Sequence, residues 1–102
     1  MAGKRKGAVG VIGLGIMGGA YATNLTAAGW RVVGLDIDPA RRKQAARRGV
    51  EIAKDAQAVA REVPIMITAL PAPAALEATV DAIIATGAPR RTVIEAGTFT
   101  LA

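Results

Sequence analysis

Two rhythms of apolar and polar positions alternate along this chain. Short aliphatic runs, Ala8-Val9-Gly10-Val11-Ile12, Trp30 to Leu35, Val50 to Ala53, Ile65 to Leu70 and Thr92 to Ala96, are separated by stretches with helical spacing. The runs are close to continuous, as in strands covered on both faces, and helical stretches fall between them. That alternation predicts an α/β fold: a Rossmann-type doubly wound parallel sheet of about five strands in a single domain.

The helical stretches carry their own start and stop signals. A first helix is expected from about Ile16 to Ala28, with Met17, Ala20, Tyr21, Leu25 and Ala28 at helical spacing and Gly29 placed to close it. Asp38-Pro39 opens a second, because the Asp side chain caps free N–H groups and Pro at the first helical position has none to lose; Gly49 stops it after about Arg48. A third runs from about Asp55 to Arg61. In the fourth, Leu76, Val80, Ile83 and Ile84 are assigned to one face, and Pro71 and Pro73 separate it from the preceding strand.

Composition sets limits on the chemistry. With 102 residues, 52% hydrophobic and 21% charged, the chain is sized for one compact domain, read here as a dinucleotide-binding unit over residues 1–102. No apolar run reaches the roughly 18 residues of a membrane span, so a cytoplasmic protein with no membrane partner is expected. Cys, His and Ser are all absent, which removes disulfides, thiolate nucleophiles, the usual metal ligands and a Ser/His/Asp triad from this stretch of chain. No metal and no catalytic residue are assigned. Lys4, Lys6, Lys43 and Lys54 read as solvated surface charge. The net charge of +5 invites an acidic partner, but one Trp, one Tyr and one Phe offer little surface for stacking bases, which argues against nucleic acid.

Gly13-Leu14-Gly15-Ile16-Met17-Gly18 is G-x-G-x-x-G, placed between a predicted buried strand and a predicted helix. In that setting each glycine has a task. Gly13 allows the tight turn, Gly15 lets the backbone approach a pyrophosphate, and Gly18 lets the helix pack close to the strand. The helix N-terminus then offers unpaired N–H groups and the positive end of its dipole to phosphate. Asp36 closes the second strand about 20 residues beyond the loop, where a carboxylate accepts from adenosine ribose hydroxyls and disfavours a 2′-phosphate. NAD is therefore the expected cofactor, with NADP admitted through Arg41 or Arg42 one turn further on.

The stretch Val11 to Leu25, with Gly-Leu-Gly-Ile-Met-Gly followed by Asn24-Leu25, resembles the N-terminal signature of the β-hydroxyacid dehydrogenase family, which includes 3-hydroxyisobutyrate and 6-phosphogluconate dehydrogenases. The likeness continues through Asp36, Leu70-Pro71 and Thr98. It implies that the backbone of Gly13, Leu14, Gly15, Ile16, Met17 and Gly18 holds the pyrophosphate, Asp36 the adenine ribose, and Leu70, Pro71 and Thr98 the nicotinamide side. It also implies hydride transfer between NAD(P) and a small β-hydroxyacid in a complete enzyme. The family's substrate loop, catalytic Lys and all-helical dimerisation domain correspond to sequence beyond Ala102, so the 102-residue chain is expected to be inactive alone.

One departure concerns substrate. Where the family commonly has Asp-x-Ser-Thr, this chain has Glu95-Ala96-Gly97-Thr98, without the Ser hydroxyl that contacts the substrate carboxylate. A non-catalytic dinucleotide-sensing or interaction module is the alternative reading. Self-association is also expected, through the apolar edge near Pro71 to Leu76 and Phe99 to Leu101.

Overall fold

The computed structural model describes residues 7–70, 73–87 and 92–95. Five strands and four helices alternate through them: β1 (Ala8–Ile12), α1 (Ile16–Ala27), β2 (Arg31–Leu35), α2 (Pro39–Arg47), β3 (Glu51–Ile52), α3 (Ala56–Glu62), β4 (Ile65–Thr68), α4 (Pro73–Ala85) and β5 (Thr92–Glu95). All strand pairs are parallel, in the order β3-β2-β1-β4-β5. The chain thus grows outward from β1 in one direction and then returns to pair β4 on the other side, the doubly wound arrangement the strand pattern predicts.

Alternate residues of the strands feed two cores. On one face Val9, Val11 and Val32 pack with Leu14, Ala22 of α1, Ala45 of α2 and Val50. On the other, Ile12, Val33 and Met66 pack with Val59 and Ala60 of α3, Val63 and Ile83 of α4. Both sides of β1 are therefore covered, and its residues from Val9 onward are buried. This is the physical reason for its unbroken apolar run.

Several boundaries and faces differ from expectation. β3 has only two residues, both exposed, because it lies at the sheet edge and gains packing from one neighbour only. β4 ends at Thr68, before Ala69 and Leu70. On α1 the buried residues are Gly18 and Ala22, whereas Met17 and Tyr21 remain 40% and 36% exposed. Small residues face the sheet there because the helix sits too close for large ones. On α4, Ile83 is buried but Ile84 is 70% exposed, since one further residue turns the side chain by about 100° away from the core.

Asp38 caps its helix as the sequence implies, whereas Asp55, expected as the first residue of the third helix, is the cap ahead of it. Asp38 Oδ1 accepts the Ala40 N–H at 2.9 Å ahead of α2, and Asp55 Oδ1 accepts the Ala58 N–H at 2.7 Å ahead of α3. At the opposite end of the sheet, Arg31 donates from Nε to Glu51 at 2.7 Å and from Nη2 to Glu62 at 2.9 Å, joining β2 to β3 and to the end of α3. These hydrogen bonds, that to Glu51 foremost, push its guanidinium still further toward the charged form.

Candidate functional site

β1 turns into α1 through the glycine loop, and each glycine there meets a different neighbour. Gly13 adopts a φ of 98°, a left-handed conformation that disfavours any side chain. Its N–H donates to the Leu35 carbonyl at 2.8 Å while the Ala69 N–H donates to the Ile12 carbonyl at 2.8 Å, so the carboxyl ends of β1, β2 and β4 are locked at this turn. Gly18 lies over Gly13, and a Cβ there would overlap the Gly13 carbonyl oxygen. The helix approaches the strand only because that atom is missing.

Gly15 is the N-cap of α1, in extended backbone with φ −68°. No side chain caps the helix, and no acidic residue stands in its first turn. The first N–H groups of α1 therefore open into the crevice beyond the carboxyl ends of β1 and β4, the point where the strand order reverses. That end of the helix favours an anion.

Asp36 follows β2 and is 7% exposed. Its Oδ2 accepts the Leu14 N–H at 2.6 Å and its Oδ1 accepts the Asp38 N–H at 2.8 Å. One buried carboxylate thus ties the middle of the glycine loop to the turn that starts α2. Each oxygen keeps a second lone pair for another donor.

The two adjacent arginines do different work. Arg42 Nη1 donates to the carbonyls of Asp36 at 2.8 Å and Ile37 at 3.3 Å, so it holds the turn itself. Arg41 reaches toward Asp36 and Asp38, each at 3.8 Å, and its guanidinium lies beside Gly15, 3.5 Å from where a Cβ would stand. From there a cavity of about 280 Å³ runs between α1 and α2, lined among others by Gly15, Thr23, Arg41, Gln44 and Arg48.

The residues expected to share a site divide as follows. Gly13, Leu14, Gly15, Ile16, Met17, Gly18 and Asp36 come together at the carboxyl ends of β1 and β2, and Leu70 lies just past β4, where its side chain comes near Gly13. Pro71 and Thr98, with the apolar edge through Phe99 to Leu101, fall outside the described residues. Ile16 and Ile37 stand 98% and 96% exposed on either side of the loop. Sequence reasoning missed Thr23, Gln44 and Arg48, whose only signal is their spacing on two separate helices. It also missed fully buried Thr68, a lone hydroxyl in the β4 run, which donates to Glu95 at 3.1 Å and joins the carboxyl ends of β4 and β5.

A parallel sheet with a glycine loop at its switch point, a helix N-terminus open to anions and a carboxylate closing the second strand define a dinucleotide-binding α/β domain. The family of the NAD-binding domain of 6-phosphogluconate dehydrogenase matches residues 8–102, and the chain belongs to it. It is 38% identical over 66 residues to a probable mitochondrial 3-hydroxyisobutyrate dehydrogenase of Dictyostelium discoideum, across 65% of this chain and 21% of that protein. The Mycobacterium tuberculosis 3-hydroxyisobutyrate dehydrogenase, solved with L-serine, superposes with a TM-score of 0.85 at 29% identity, over 90% of this chain and 32% of that one. An imine reductase from Aspergillus terreus, solved with NADPH4, shares the fold at a TM-score of 0.79 and 23% identity, over 95% of this chain and 34% of that one. The chain thus spans about a third or less of these relatives. It is an NAD(P)-binding domain of the oxidoreductase type, resembling the N-terminal part of 3-hydroxyisobutyrate dehydrogenase.

Proposed function

We propose that residues 1–102 form the dinucleotide-binding domain of an enzyme that moves a hydride between NAD and a small β-hydroxyacid. The observation that carries this reading is the glycine loop closed on itself, Gly18 against the Gly13 carbonyl, with Asp36 bonded to the Leu14 N–H. The backbone from Gly13 to Gly18 and the first turn of α1 would hold the pyrophosphate. Asp36 would accept from the adenine ribose through its remaining lone pairs. Exposed Ile16 and Ile37 supply apolar surface at the rim, and Leu70, Pro71 and Thr98 are assigned to the nicotinamide side.

The nicotinamide supplies or accepts the hydride when bound; this chain binds and orients it. In the proposed enzyme, substrate binding and proton transfer would fall to residues outside 1–102. The likeness to the two 3-hydroxyisobutyrate dehydrogenases supports a hydroxyacid substrate. NAD is favoured over NADP because a 2′-phosphate would be set beside the buried Asp36 carboxylate.

Titrating the purified chain with NADH and NADPH, beside Asp36→Ala, tests the proposal. Saturable binding that favours NADH and weakens about tenfold or more in Asp36→Ala is expected. A folded chain that takes up neither nucleotide would refute it.

A further inference from the structure

Thr68 is the last residue of β4 and fully buried, a hydroxyl at the end of an otherwise apolar strand. Burying a hydroxyl costs stability unless it is hydrogen-bonded. The bond it makes is to a carboxylate: Thr68 Oγ1 donates to Glu95 Oε2 at 3.1 Å. Glu95 itself is exposed, so a buried group anchors a carboxylate that stands at the surface. The register sets this pair in line with the glycine turn. Ile12 pairs with Thr68 and Thr68 with Glu95, so the last residues of β1, β4 and β5 form one row across the sheet.

That row runs away from Asp36, which follows β2 on the other side of β1. From β2 to β5 is three strand spacings, about 14 Å. With the adenine ribose at Asp36 and the pyrophosphate at the glycine loop between, the nicotinamide half is directed over the ends of β4 and β5. Charge differs between the two ends. Arg41 and Arg42 stand beside Asp36 on the adenine side. On the other, Glu95 is the one charged side chain among the described residues of β4, Ala69, Leu70 and β5.

We infer that Glu95 determines which redox form of the nicotinamide the domain prefers, with Thr68 as its positioning residue. The inference rests on the proposed dinucleotide site and adds to it a discrimination that Asp36 cannot make, since the adenine half is the same in both forms. The oxidised ring of NAD+ carries a positive charge that it loses on taking up a hydride. A carboxylate held near the ring attracts the oxidised form and is close to indifferent to the reduced one. The bond from Thr68 keeps that carboxylate at the carboxyl end of β5.

The test titrates the wild-type chain, Glu95→Gln, Thr68→Val and Thr68→Ser with NAD+, NADH and ADP-ribose, which lacks the nicotinamide. Thermal melts check that each variant is folded. Glu95→Gln, which keeps a side chain of the same size, is expected to weaken NAD+ about fivefold and to leave NADH and ADP-ribose within about twofold of wild type. Thr68→Val should lose about half of the preference for NAD+ that Glu95→Gln removes, and Thr68→Ser should retain it. Equal changes for NAD+ and NADH in Glu95→Gln, or no change in either, would overturn the inference while ADP-ribose binding leaves the dinucleotide reading intact. A ratio unmoved by Thr68→Val would overturn the positioning role of Thr68. If the folded wild-type chain binds neither ADP-ribose nor the dinucleotides, the functional reading fails and this inference falls with it.

Discussion

Gly18 and Gly15 are three residues apart, yet the structure asks opposite things of them. A Cβ on Gly18 would overlap the Gly13 carbonyl oxygen, which is backbone and cannot swing aside. Gly18→Ala is therefore expected to lose about 3 kcal/mol or more of stability, or to prevent folding, as read by a urea melt. A melt within about 0.5 kcal/mol of wild type would show that the helix can retreat from the strand. The roles of Gly13 and Gly18 are legible in the sequence because the motif joins a buried strand to a helix. The bond from the Leu14 N–H to Asp36 and the pairing of Arg48 with Thr23 are not, because each joins residues more than 20 positions apart and depends on how the elements pack.

Among the elements, the short ones carry the clearest expectations. α3 has seven residues and depends on its cap, so Asp55→Ala, which removes the acceptor for the Ala58 N–H, should cost about 1 kcal/mol. A melt unchanged by that substitution would show that tertiary packing alone holds the helix. β3, two exposed residues long, is held at its edge by Arg31. Arg31→Met should cost only about 0.2–1 kcal/mol, the range for exposed pairs, and the difference from wild type should shrink in high salt. A loss several times larger that salt does not touch would mean the Arg31 side chain acts through packing.

The strands and helices themselves were readable for a physical reason. Strands buried on both faces are apolar without interruption, and Asp caps, Pro and Gly mark the helix ends. Faces were harder. Met17 and Tyr21 look like core residues by spacing and size, but Gly18 and Ala22 take the buried side of α1 because close approach favours the smallest side chains. Ile84 shares helical spacing with Ile83 but is exposed, because the buried stripe of α4 is narrower than the roughly 100° between adjacent residues.

At the scale of the whole molecule, the described residues form the platform of an NAD(P)-binding domain. No helix among them is long and apolar enough to cross a membrane. The carboxyl ends of β1, β2 and β4 are locked around one turn, and the open N-terminus of α1 faces the crevice they form. Such a platform should bind a dinucleotide without turning it over. Mixed with NAD and 3-hydroxyisobutyrate, the 102-residue chain is expected to produce no NADH above background; sustained turnover would place acid–base chemistry within these residues.

We propose that the glycine loop admits a pyrophosphate, and Gly15 isolates that role. A Cβ at Gly15 would meet only the flexible end of Arg41 at ordinary contact distance, so Gly15→Ala should fold as well as wild type. The same methyl would stand where the backbone must approach the phosphates. Calorimetric titration of NADH into the wild-type chain and Gly15→Ala, with matched thermal melts, is therefore the most direct measurement. Equal melts with binding weakened about tenfold or more in the variant are predicted. Equal melts with equal NADH affinity would mean that no phosphate approaches the backbone at Gly15.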